Sequence, residues 1–136
     1  MSVFDYFIKM TTFNNNVLAV VGSRTFTDYA QFCSELDKLK NCEFDFSSLV
    51  SGGANGADKM AERYARERGI PIKILKPNWY PNGRYDKGAG IRRNFDIING
   101  ASYVIAFWDG VSSGTNHSIK LAQKKGKPVK KIEFKN

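Results

Sequence analysis

Three short stretches rich in small residues have the makings of an anion site: "GSRT" (22–25), "SGGANGAD" (51–58) and "DGVSSGTN" (109–116). Each follows an apolar run and precedes a stretch of helical periodicity. A strand-to-helix turn of this kind presents backbone N–H groups, and the first helical turn leaves its own N–H groups unpaired at the positive end of the dipole. Phosphate suits that geometry best. Glycines also let a ligand come close to the backbone. Gly and Ser occupy such turns for local reasons too, so it is their recurrence in three turns that points to a ligand. None of the three is the dinucleotide fingerprint G-x-G-x-x-G, and no G-x-x-x-x-G-K-[ST] loop is present.

Each residue carries a chemical reading and a plainer one. In the first turn, Gly22 leaves room, Ser23 offers a hydroxyl to phosphate or caps a helix, and Arg24 brings a planar guanidinium to a phosphate or pairs with a surface acid. In the second, Ser51, Gly52, Gly53, Asn55 and Gly56 form a cradle. Asp58 falls in a first helical turn, where a carboxylate caps and complements the dipole; it is also a catalytic candidate. In the third, Ser113, Gly114 and Thr115 can bond phosphate oxygens or cap. Asp109, just past a strand, is the best-placed carboxylate for a ribose hydroxyl and the second catalytic candidate. Arg92, Arg93 and Asn94 open a helix after a long loop, and Arg92 and Asn94 are expected to reach the site. Trp79 and Tyr80 can stack on a base or pack as a lid. His117 has no partner visible in the sequence and is not read as a base. Cys33 and Cys42 lack metal-type spacing and one His cannot complete a zinc set, so neither metal nor cofactor is expected.

These turns need a scaffold, and the pattern supplies one. "VLAVV" (17–21), "FSSLV" (46–50), "IKIL" (72–75), "YVIAFW" (103–108) and "PVKKIEF" (128–134) read as five strands, the last at an edge. Between them, Tyr29, Phe32, Cys33, Leu36 and Leu39 recur at helical spacing, as do Ala57, Met60, Ala61, Tyr64 and Ala65. Gly69 reads as a helix stop with Pro71 close behind. Ile91, Phe95 and Ile98 mark a third helix, and Ile119 with Ala122 a fourth. Alternating β and α predicts a Rossmann-like three-layer α/β/α fold with a mainly parallel five-stranded sheet in the order 3-2-1-4-5. In that order the first and fourth strands meet at the switch point, where ligands bind beyond the strand C-termini.

The 136 residues fit one domain, read as 17–136, with 1–16 as an N-terminal extension behind "TTFNNN". Val3, Phe4, Phe7 and Ile8 suggest one apolar turn there. The net charge is +8, but residues 124–136 hold six Lys and one Glu, so the basicity is largely a C-terminal, solvated tail. No apolar run approaches the ~18 residues of a membrane helix, no signal peptide is evident, and two unpaired cysteines suit a cytoplasmic location.

"VVGSRTF", "LVSGGANGADKMAERYA", the loop Trp79, "GAGIRRN" and "SSGT" together resemble the SLOG superfamily of Rossmann-like nucleotide-binding domains, in its YspA-like branch, over about residues 17–129. The resemblance implies binding of a nucleotide or nucleotide-derived small molecule, as a sensor or sequestering module. Two other branches bear on chemistry. The Lonely Guy phosphoribohydrolases carry P-G-G-x-G-T-x-x-E; here "GVSSGTNHS" keeps Gly114 and Thr115 but places Ser118 at the Glu position, with Arg92 or Arg93 standing for their Arg. Phosphate binding carries over, whereas N-glycosidic hydrolysis loses its carboxylate unless Asp58 or Asp109 replaces it. The DNA-processing A (Smf) family shares the GSR turn and SGxAxGxD, which implies single-stranded nucleic acid as the alternative partner. Relatives often pair, so the resemblance also implies a homo-oligomer.

Overall fold

The computed structural model describes residues 16–136. The apolar turn expected around Val3 to Ile8 lies outside them. Five strands form one sheet: β1 (Val17–Gly22), β2 (Ser48–Ser51), β3 (Ile72–Ile74), β4 (Tyr103–Trp108) and β5 (Val129–Glu133). All pairings are parallel and the order is β3-β2-β1-β4-β5. β1 and β4 sit centrally because each carries four consecutive residues that are buried, as a strand covered on both faces requires. Gly22 pairs with Phe107, which brings the C-terminal ends of the two strands level.

Among the described residues four α-helices complete the layers: α1 (Tyr29–Cys42), α2 (Ala57–Arg68), α3 (Ala89–Asn99) and α4 (Ser113–Lys124). Strand alternation sorts the core into two halves. Leu18, Val20, Ile105 and Phe107 pack with Phe32, Leu36, Ala61 and Tyr64 of α1 and α2. Ala19, Val21, Val104 and Ala106 pack with Ile97, Ile98, Ile119 and Ala122 of α3 and α4. Phe107 anchors the first half, with ring centroids 4.8 Å from Phe26 and 5.0 Å from Phe32.

Local signals start and stop these helices. The Asp28 carboxylate accepts the Gln31 N–H at 3.0 Å and caps α1. Gly69, at φ 65°, ends α2 in the left-handed conformation, and the Ile70 N–H bonds the Ala65 carbonyl at 2.9 Å. Tyr64 reaches out of the core to donate its hydroxyl to Asp37 at 2.7 Å. Tyr64→Phe is expected to cost about 1 kcal/mol, the worth of one partly buried hydrogen bond, in a urea melt.

The helix marked by Ile91, Phe95 and Ile98 is present as α3, but its buried face differs from that apolar set. Ile91 and Phe95 do not belong to the buried face of α3, since they are 58% and 43% exposed. Ala89, Ile97 and Ile98 take that face, and the Lys125 ammonium covers Phe95 at 4.1 Å from the ring centroid. The Lys-rich stretch is more than a solvated tail. The edge strand expected within it is present as β5, and beyond that Lys127 bonds the Ala101 carbonyl and Lys130 lies 3.8 and 3.7 Å from Glu35 and Glu43. Among the described residues no helix is long and apolar enough to cross a membrane, and Cys33 and Cys42 are unbridged.

Candidate functional site

At the C-terminal ends of β1 and β4 the two crossovers part to opposite faces, and a cleft of about 420 Å³ opens there. Turns after β1, β2 and β4 reach it, joined by Arg93, Asn94 and Ile97 from the middle of α3 and by the first turn of α4. Of the residues expected at the site, Gly22, Ser23, Arg24, Asp58, Asn94, Ser113, Gly114 and Thr115 line it.

The small residues divide into two kinds. Gly22 and Gly56 are small because the chain packs on itself. A Cβ on Gly22 would stand 2.5 Å from the Ala57 Cβ and 2.9 Å from the Phe107 carbonyl oxygen. Gly56 has φ +79°, and a Cβ there would strike the Ser23 carbonyl and lie 2.8 Å from the Arg24 carbonyl carbon. Ser23 is likewise a fastener: its N–H bonds the Phe107 carbonyl at 2.8 Å and its Oγ accepts the Asp109 N–H at 3.2 Å. Gly114 is of the other kind, with no atom within 4 Å of an added Cβ. It lies in the first turn of α4, where the N–H groups of Ser113, Gly114 and Thr115 precede the first helical bond, from Asn116 N–H to the Ser112 carbonyl. The positive end of the α4 dipole therefore opens into the cleft.

Two charged groups from opposite layers enter the same space. Arg93 is half-buried; its Nη1 donates to the Gly52 carbonyl at 2.8 Å and the Leu75 carbonyl at 3.3 Å, and its Nε donates to Asn94 Oδ1 at 3.0 Å. Gly52 is glycine to admit it, since a Cβ there would lie 2.9 Å from Arg93 Cζ and 3.0 Å from Asp58 Oδ2. Asp58 is only 6% exposed, and its Oδ2 accepts the Ala54 N–H at 3.1 Å. Burial pushes its carboxyl up to about 6, against the opposing pull of the loop amides, Ser51 and Arg93. Burial also lowers Arg93, while Asp58 works to raise it and Arg24 to lower it further.

Several expected residues lie elsewhere. Asp109 is not among the residues that line the cleft. Its Oδ1 accepts the N–H groups of Val111 at 3.0 Å and Ser112 at 2.8 Å, and its Oδ2 accepts the Ser112 hydroxyl at 2.8 Å. These bonds hold its carboxyl well below the usual range and fix the turn into α4. Ser51 is buried and donates to the Val20 carbonyl at 2.9 Å. Gly53, at φ +76°, packs near Ile74, and Asn55 is exposed. Arg92 pairs with Asp86 in a second hollow of about 520 Å³ beside β3, for which Arg93 is the common wall. Trp79 stacks on Tyr85 with ring centroids 6.2 Å apart and lies over Gly90, outside the cleft. Arg93 takes the place expected of Arg92, and the hydroxyls of Ser112 and Ser118, which the sequence does not single out as ligand groups, line the cleft with it. The signal was present: Ala89, Arg93 and Ile97 are spaced four apart, so Arg93 shares the inward face of α3 and Arg92 does not.

The two carboxylates give acid stability opposite signs. Asp58 has its carboxyl raised when folded, so its ionisation destabilises the fold, and stability grows as pH falls through about 6. Asp109 has its carboxyl lowered, so its contribution is present above the ordinary carboxylate range of about 4 and is lost as pH falls below it. Thermal melting is expected to peak between about pH 4 and 6, and Asp58→Asn to flatten the decline on the alkaline side.

A parallel α/β/α sheet with its cleft at the switch point defines the class: a Rossmann-like domain. Comparison with known proteins then gives the family. Residues 16–80 match the YspA, cpYpsA-related SLOG family, a span that includes the GSR turn and the SGGANGAD loop. The Gene 61 protein of Mycobacterium phage D29 is 35% identical over 117 residues, covering 81% of this chain and 90% of that one. The chain belongs to this YspA-related SLOG family. Among solved structures, DNA processing protein A from Helicobacter pylori, described for its single-stranded DNA binding mode, superposes with a TM-score of 0.66 at 24% identity. That match covers 86% of this chain and 65% of the Helicobacter chain, and it establishes the likeness of fold.

Proposed function

We propose that the cleft binds the phosphate of a nucleotide or nucleotide-derived ligand. Membership in the SLOG family supports nucleotide or nucleic-acid binding as the general class. The observation that carries the finer reading is the open first turn of α4 at Gly114, set in one cleft with Arg24 and Arg93. Unpaired N–H groups, a helix dipole and two guanidinium groups converge where the fold leaves space. A volume of about 420 Å³ falls within the roughly 300–1,000 Å³ of small-molecule sites. Asp58 and Arg93 then offer a base or sugar one acceptor and several donors.

The test is a melting panel of nucleoside mono-, di- and triphosphates, sugar phosphates and cyclic nucleotides. A true ligand at ~100 Kd adds about 2.7 kcal/mol of stability. Arg24 is exposed and pairs with no acid among the described residues. Arg24→Ala is therefore expected to weaken binding about tenfold while changing stability by less than about 0.5 kcal/mol. A panel without a single shift contradicts the proposal.

A second reading, single-stranded nucleic acid, draws on the loop beyond β3. There Trp79, Tyr80 and Tyr85 are 39%, 64% and 65% exposed and lean on one another, and the same loop carries exposed Arg84 and Lys87. Such rings stack on bases regardless of sequence. The Helicobacter protein's described DNA binding supports the same direction. Under this reading Tyr85→Ala costs about 1–3 kcal/mol of oligonucleotide affinity and the salt slope is steep. Under the first reading Tyr85→Ala leaves mononucleotide binding unchanged.

A further inference from the structure

We propose that Asp58 and Arg93 form a proton-operated gate on the cleft: the ionised Asp58 carboxylate offsets the Arg93 charge and holds anions weakly, and its protonation releases that charge so that anions bind more tightly as the pH falls. The proposal rests on reading the cleft as an anion site and adds regulation to it. Both groups line the cleft, and both crowd the space left by the missing side chain of Gly52. Neither can withdraw. Asp58 is tied to the Ala54 N–H, and Arg93 is held by two backbone carbonyls and Asn94. An anion entering from the α4 side therefore meets the pair at a fixed separation, and only the proton on Asp58 changes the local charge.

The surroundings leave Asp58 as the group that titrates. β2 presents the Ser51 hydroxyl, already bonded to the Val20 carbonyl. The following loop presents the amide N–H groups of Gly52 and Ala54. α3 presents Arg93, and the turn after β1 presents Arg24, both permanently charged. α4 presents no titratable side chain, only the hydroxyls of Ser113, Thr115 and Ser118 and the amides of its first turn. On α2 itself, Lys59 and Glu62 pair with each other at 3.3 Å. Burial places the Asp58 carboxyl near 6, so its charge changes across the range the gate needs.

Sulfate tests this, because it stays doubly charged across the range and titrates nothing of its own. The readout is the amide resonances of Gly114 and Thr115 in the full-length 15N-labelled chain. Sulfate affinity is expected to rise about fivefold to tenfold from pH 7.5 to 5. D58N is expected to bind as tightly as the wild type at pH 5 and to lose the pH slope. The linked effect needs no variant: sulfate must raise the Asp58 carboxyl midpoint, followed by 13C shifts, by nearly a unit. The chain's single histidine, His117, lies outside the cleft lining, and H117Q must keep the slope. An unchanged Asp58 midpoint under saturating sulfate overturns the gate, as does a slope that survives D58N or disappears in H117Q. Amides of Gly114 and Thr115 that ignore sulfate at every pH overturn the anion site itself, which separates the two failures.

Discussion

Gly56→Ala is expected to destabilise the protein by about 2–5 kcal/mol, the largest effect of any single methyl group at the sheet rim. Two costs combine. The backbone there has φ +79° and ψ −130°, a region that only glycine occupies without strain, worth about 1–3 kcal/mol. The added methyl also meets the backbone of Ser23 and Arg24 rather than a side chain that could swing aside. Those residues are pinned in turn, because the Ser23 N–H bonds the Phe107 carbonyl and its Oγ holds the Asp109 N–H. Relief would require β1, β4 and the first turn of α2 to part. A domain of this size has about 5–15 kcal/mol to lose, so the variant should show a large fall in urea midpoint with the slope retained. A loss under about 1 kcal/mol would mean that the two turns do not pack as described.

Gly114→Asp is expected to do the reverse: keep the fold and abolish binding. Open space surrounds an added Cβ at this position, so no neighbour has to move. A carboxylate in the first turn of a helix gains about 0.3–1 kcal/mol from the dipole. The same carboxylate occupies the place of the ligand's phosphate and repels it. Two unit charges about 4 Å apart interact with about 4 kcal/mol at an effective dielectric of about 20. Affinity for a nucleotide should therefore fall on the order of 100-fold or more, with melting unchanged or slightly raised. Calorimetry of binding beside a thermal melt measures both. A variant that binds normally would remove the α4 N-terminus from the site.

The scaffold was legible because its signals are local and repeated. "VLAVV" and "YVIAFW" are short apolar runs in a regular β/α alternation, and that alternation predicts the parallel order that sets β1 beside β4. Gly69 announced the end of α2 through the conformation it adopts. The site was legible at the level of turns and less so at the level of side chains. Asp109 was read as ligand-facing because its position after β4 is visible in sequence, whereas the two amides and the hydroxyl that bind it are supplied by residues two and three positions on. Gly22 and Gly56 looked like room for a ligand, because a sequence does not show which neighbouring chain will press against a glycine. Arg93 was passed over for Arg92 although the spacing to Ala89 and Ile97 distinguished them. Ile91 lies in the helix it marks, yet it is exposed, since apolar spacing on α3 does not tell where along the helix the cover from the sheet ends.

A crystal structure with a nucleoside 5′-monophosphate, at a concentration shown by calorimetry to saturate the protein, puts the matter most directly. The phosphate oxygens should lie within hydrogen-bond distance of the Gly114 and Thr115 amides, with Arg24 or Arg93 on the same group. An ordered nucleotide seated on the Trp79–Tyr85 loop, with the α4 cleft empty beside it, would contradict that placement.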